Sequence, residues 1–204
     1  MKMPQIKNVF SNNRVNQPQQ QETSRPITVA DLLQRGHDQN DRSVDPTGFR
    51  SIHDLRDFAR DNPLPTTLYR AHVADRDEID VYGLERSEET DKKRGDDYLA
   101  DIIKHTARTG GSRGGVLSLS GSLQTANRFA AGRTVVQIDA TAFSGRFKTT
   151  AQILLDDADR LMAAQKVSPN TVRKALENLC GEAESEAFYL DGDIPRSAVK
   201  QIYD

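Results

Sequence analysis

Gly181-Glu182-Ala183-Glu184-Ser185-Glu186-Ala187-Phe188-Tyr189-Leu190 sets an acidic cluster directly before a short apolar run. The run is rich in aromatic residues and is followed by Asp191-Gly192-Asp193, so it reads as a strand ending in a turn. In extended backbone, residues two apart share a face, so Glu184 and Glu186 point to one side. Two carboxylates held that close push their pKa values apart. One can then stabilise positive charge while its neighbour takes a proton. The same pair is at home on a solvated strand edge, so its meaning depends on two stretches upstream. Register is also open, because Glu182 with Glu184 has the same spacing as Glu184 with Glu186.

The first of these stretches is Val116-Leu117-Ser118-Leu119-Ser120-Gly121-Ser122. It alternates as a strand, with Ser118 and Ser120 on the face opposite Leu117 and Leu119. Two hydroxyls on one face either meet solvent or hydrogen-bond across a cleft. Ser122 is placed to cap a helix that carries Leu123, Ala126, Phe129 and Ala130 inward. The second stretch is Thr66-Thr67-Leu68-Tyr69-Arg70-Ala71, a β-prone run behind Pro63 and Pro65. If Leu68 faces the core, Arg70 lies on the same side, and a buried arginine needs an anionic partner. That partner is either a structural carboxylate or a bound phosphate, whose oxygens a planar guanidinium matches two at a time.

The remaining chain supplies helices and one further clear strand, Thr134 to Asp139. Thr28 and Ser51 are placed as N-caps of two early helices, the second bearing Ile52, Leu55 and Phe58 with Asp54 as capping acid. Asp45-Pro46-Thr47-Gly48 between them reads as a turn. Residues 75–97 are heavily charged and read as a solvated loop or helix face. Leu99, Ile102 and Ile103 mark a helix that ends in the loop Gly110-Gly111-Ser112-Arg113-Gly114-Gly115, which lacks the Gly-Lys-Ser/Thr ending of a phosphate loop. Thr150 to Gln165 reads as one helix, and Ser168-Pro169 opens another that ends at Cys180, expected to be a small buried hydrophobe. A last strand runs from Ala198 to Tyr203.

Composition narrows the options. Hydrophobic residues make up 36% of 204, low enough to imply an unpacked portion. Residues 1–26, with the run Ser11 to Gln21, carry almost nothing to bury and are expected to be a disordered tail. Residues 27–65 are expected to be a helical segment, and residues 66–204 the main domain. A net charge of −2 gives no global basic field for nucleic acid. Cys180 is the single cysteine and the four histidines are scattered, so neither a disulfide framework nor a metal site is expected. No apolar run approaches the roughly 20 residues of a membrane span. The first residues show no signal-peptide core and no Met-Gly acylation start.

Taken in order, the chain offers Tyr69-Arg70, then Ser118-Leu119-Ser120 with Ala126 and Phe129, then Glu184-Ser185-Glu186 before an apolar strand and turn. This order resembles the arginine–serine–glutamate class of mono-ADP-ribosyltransferases, which includes bacterial toxins and type III secretion effectors. The resemblance spans roughly Thr66 to Tyr203. It implies an α+β, ADP-ribosyltransferase-like fold, with two small β-sheets packed around an NAD cleft and peripheral helices. It also implies roles. Arg70 would hold the NAD phosphates or the nicotinamide-side ribose, Ser118 would orient Glu186, and Ser120 would line the nicotinamide pocket. Glu186 would stabilise the oxocarbenium ion as nicotinamide leaves, and Glu184 would activate an arginine acceptor on a host protein. NAD would be a substrate, with no metal required. The family pattern favours Glu184 with Glu186, since its second glutamate directly precedes the strand. Leu119 replaces the family's central threonine, and no aromatic residue stands near Gly181 where the family's acceptor loop has one. The polar tail is similar to the N-termini of secreted effectors, which implies delivery into a host cell. An NAD glycohydrolase on the same fold, or an inactive module that binds a host protein, are the alternatives.

Overall fold

Side-chain caps begin the helices where the sequence places them. The computed structural model describes residues 25–38, 48–86, 92–109, 115–181 and 186–203. The expected tail up to residue 24, the turn before Gly48, most of the glycine-rich loop, and both Glu182 and Glu184 lie outside these residues. Thr28 and Asp31 cap α1 (Val29–Asp38) reciprocally, with Thr28 N–H donating to Asp31 Oδ2 at 3.0 Å and Asp31 N–H to Thr28 Oγ1 at 3.2 Å. Ser51 Oγ accepts from Asp54 N–H at the start of α2 (Ile52–Asp61), and Ser122 Oγ from Thr125 N–H at the start of α5 (Leu123–Ala130). Ser168 Oγ accepts from Thr171 N–H where α8 (Pro169–Gly181) begins.

Six strands form one antiparallel sheet: β1 (Thr67–His72), β2 (Ser118–Ser120), β3 (Thr134–Asp139), β4 (Phe147–Thr149), β5 (Glu186–Tyr189) and β6 (Val199–Tyr203). Their order is β4-β5-β2-β1-β3-β6. The expectation of two small sheets is therefore corrected to one sheet, in an α+β architecture. The join between its halves is narrow. β1 and β3 pair along six residues, whereas β1 and β2 meet only at Tyr69 opposite Ser120. Beyond that pair, the Ser118 carbonyl accepts from Arg70 Nη1 at 2.6 Å, so a side chain takes the place of a ladder bond. The sheet opens at this seam.

Alternation along the strands separates two cores. Leu68, Leu119, Val136, Ile138, Ala187 and Tyr189 pack together on one face. On the other face Phe188 joins the helical core built from α1, α2, α4 (Gly95–Thr106), α6 (Thr150–Asp156), α7 (Ala158–Ala163) and α8. Val29, Leu33 and Leu55 belong to that core, so α1 and α2 pack against the helices of the main domain. α5 covers β1 and β3 through Ala126, Ala130 and Val135.

Several expectations are overturned locally. The helix expected over 150–165 breaks at Asp157, whose carboxylate is drawn to Lys148 Nζ of β4 at 3.0 Å and to Arg160 Nη2 at 2.7 Å. β4 itself, three residues long, shows no periodicity in sequence. The charged stretch 75–97 contains α3 (Arg76–Tyr82) and one deeply buried cation, Arg86. Its guanidinium lies 4.7 Å above the Tyr98 ring, donates to the Lys93 carbonyl at 2.8 Å and pairs with Asp193 at 3.3 Å. Cys180 is exposed rather than buried, and Phe129 is 67% exposed rather than turned inward.

Candidate functional site

The three motifs converge where the sheet opens. A cleft of about 410 Å³ is lined by Tyr69 and Arg70 of β1, Ser118 and Ser120 of β2, and Glu186 of β5. Its walls come from His105 and Thr106 of α4, Thr125, Ala126 and Phe129 of α5, and Asn178 of α8, with Arg108 and Arg133 at the helix exits. That volume lies within the roughly 300–1,000 Å³ of small-molecule sites.

Strand register brings Ser118 and Glu186 together. Ser120 stands opposite Glu186 and Ser118 opposite Phe188, which makes Ser118 and Glu186 diagonal neighbours on one face. Ser118 Oγ donates to Glu186 Oε1 at 3.0 Å. Ser120 Oγ accepts from Ser122 N–H at 3.1 Å, and its own proton remains available to the cleft it lines. Leu119, between the two serines, is buried on the opposite face.

His105 Nε2 lies 3.8 Å from Glu186 Oε1, within electrostatic reach but too long for a hydrogen bond. Burial works against charge on Glu186, but His105, Ser118 and Arg108 outweigh it and hold the carboxyl below its ordinary value. Burial likewise lowers the Arg70 guanidinium to about 10, with Arg133 pulling the same way and Tyr98 and Glu186 opposing. Arg70 is thus charged at neutral pH. Its Nη1 is satisfied by the Ser118 carbonyl, while its Nε is buried with no partner among the described residues. Thr150 Oγ1, in the same cleft, is buried and unpartnered too. A buried donor left unmade costs about 1–3 kcal/mol, which a ligand group can recover. With two guanidiniums repelling one another in one cleft, the ligand that best repays this cost is an anion.

Arg70, Ser118, Ser120 and Glu186 therefore meet in one place, and the position of Glu184 lies outside the described residues. Sequence reasoning missed His105, Arg108 and Arg133 as cleft residues. His105 follows an apolar helical stripe and Arg133 sits in a turn, so nothing local announces either. Among the described residues no group of three or more His, Cys, Asp or Glu side chains is placed to hold a metal ion. No helix among them is long and apolar enough to cross a membrane. Compared with family models, with curated proteins and with solved structures, the chain finds no match.

Proposed function

We propose that the cleft binds NAD and that the chain is an NAD-dependent protein mono-ADP-ribosyltransferase. The observation that carries this reading is the Ser118–Glu186 hydrogen bond set beside Arg70, whose buried Nε lacks a partner, in one cleft. The residues suit the ligand. Arg70, with Arg133 nearby, supplies fixed positive charge for a diphosphate. Glu186, held ionised and oriented by Ser118, supplies negative charge for a ribose carbon that becomes cationic as its bond to nicotinamide breaks. The bonding electrons leave with nicotinamide, and an acceptor nitrogen attacks the ribose carbon and surrenders a proton. Glu184, two residues before Glu186, is the base assigned to that proton, and an arginine of a host protein is the acceptor. The polar N-terminal stretch fits delivery as a secreted bacterial effector or toxin.

The test is incubation with labelled NAD and host-cell extract, wild type beside Glu186→Ala. Label on protein with wild type alone is the expected result. Free ADP-ribose without labelled protein would make the enzyme a glycohydrolase. Neither NAD consumption nor NAD binding would leave an inactive interaction module.

A further inference from the structure

Glu186 is the only carboxylate among the described residues lining the cleft, and the base of its strand faces the C-terminal turn of α4. From that turn His105 reaches to 3.8 Å of Oε1, the same oxygen that accepts from Ser118. The imidazole is itself held: its ring meets Phe188, two residues along the strand from Glu186, edge-on at 6.2 Å. Phe188 is fully buried, so the contact is anchored in the helical core. We propose that His105 is a positioning residue, pairing with Glu186 Oε1 so that the carboxylate keeps both its charge and its aim.

The surroundings make such a partner necessary. Burial alone would favour the neutral acid, and a neutral glutamic acid gives no electrostatic stabilisation to a cationic transition state. Ser118 supplies one hydrogen bond but no charge. Among the described residues, the other charged groups of the cleft are Arg70 from β1, Arg133 ahead of β3 and Arg108 at the exit of α4, with Lys104 beside His105 on its own helix. α5, α6 and α8 face the cleft with the neutral Thr125, Thr150 and Asn178.

The catalytic meaning rests on the transferase reading, but the pairing is measurable without it. The full chain, with its glutamate side-chain carboxyls ¹³C-labelled, is titrated by NMR, and the Glu186 signal is assigned by its loss in Glu186→Gln. His105→Gln is expected to shift the Glu186 midpoint upward, and His105→Arg, which keeps a cation there, to return it. Where label transfer is observed, His105→Gln is expected to lower kcat about tenfold, with little change in KM for NAD. An unchanged Glu186 midpoint in His105→Gln would overturn the proposal. Absence of NAD turnover in wild type would sink the transferase reading instead, and the titration would still decide the role of His105.

Discussion

Removing the Ser118 hydroxyl isolates one interaction at the centre of the cleft. In Ser118→Ala the Oγ–Oε1 hydrogen bond of 3.0 Å is lost, while the Ser118 carbonyl still accepts from Arg70 Nη1. The Arg70 link across the seam of the sheet therefore remains. A hydrogen bond to a charged group contributes about 1.5–3 kcal/mol. The Glu186 side chain is 28% exposed, so water replaces part of the loss and the lower half of that range applies. About 1.5–2 kcal/mol corresponds to roughly a tenfold to thirtyfold change in rate. If the bond aims Glu186 at a transition-state charge, the loss falls on kcat and leaves KM for NAD nearly unchanged. The Glu186 midpoint should also rise, because a hydrogen bond to its charged form has gone. The assay is initial-rate label transfer against NAD concentration for both proteins, with thermal unfolding as a control for folding. A kcat within about twofold of wild type in a normally folded variant would refute the assigned role of Ser118.

Two other predictions concern stability. Asp193→Ala takes the carboxylate from Arg86, whose side chain is 1% exposed, and also removes an acceptor 2.7 Å from the Arg86 backbone N–H. A buried cation stripped of its counter-charge costs about 3–5 kcal/mol, and the 31% exposure of Asp193 places the loss near about 3 kcal/mol in denaturant unfolding. A loss below about 1 kcal/mol would mean that the Lys93 carbonyl and the Tyr98 ring suffice. His72 makes stability depend on pH. Its Nδ1 accepts from Ala74 N–H at 3.1 Å and its Nε2 contacts the Glu85 carbonyl at 3.0 Å, a pattern suited to the neutral ring. Burial, aided by the Arg70 charge, lowers its pKa against the opposing Glu85 carbonyl. The unfolded chain then binds a proton that the native state refuses. The His72 contribution is complete above the unfolded value of about 6.5 and is lost as pH falls below it, with a slope of at most about 1.4 kcal/mol per pH unit. His72→Gln should flatten that limb of the stability profile, and an unchanged slope would place the acid sensitivity elsewhere.

What the sequence made legible was local. Serine and threonine caps declare themselves because the acceptor and the N–H it satisfies lie within three residues, as at Ser51 with Asp54 and Ser122 with Thr125. Alternation at Ser118-Leu119-Ser120 put both hydroxyls on one face, and the pairing with β5 keeps them there. The misses come from partners distant along the chain. Phe129 has helical spacing with Ala126 and Ala130, yet it points over the cleft rather than into the core, because the sheet beneath α5 opens there. His105 gains its meaning from Glu186, and Arg86 from Asp193, neither of which a window of local sequence contains. Asp157 breaks a helix that its own neighbours favour, because Lys148 on another element claims its carboxylate.

The seam between β1 and β2 joins fold to site. A longer β2 would extend its ladder with β1, and the Ser118 carbonyl would be taken by a backbone N–H. Arg70 Nη1 would then have no acceptor there, and a guanidinium in that position would carry an unmet desolvation cost. With β2 held to three residues, the carbonyl is free to orient Arg70 while the hydroxyl of the same residue orients Glu186. One residue thus fixes a cation and an anion on either side of the opening, and the separation between them follows from sheet geometry rather than from a loop. At the interrupted ladder the Ser118 carbonyl is satisfied by Arg70 Nη1, and Arg70 Nε is left buried with no partner among the described residues. That remaining donor is the one a ligand phosphate would satisfy.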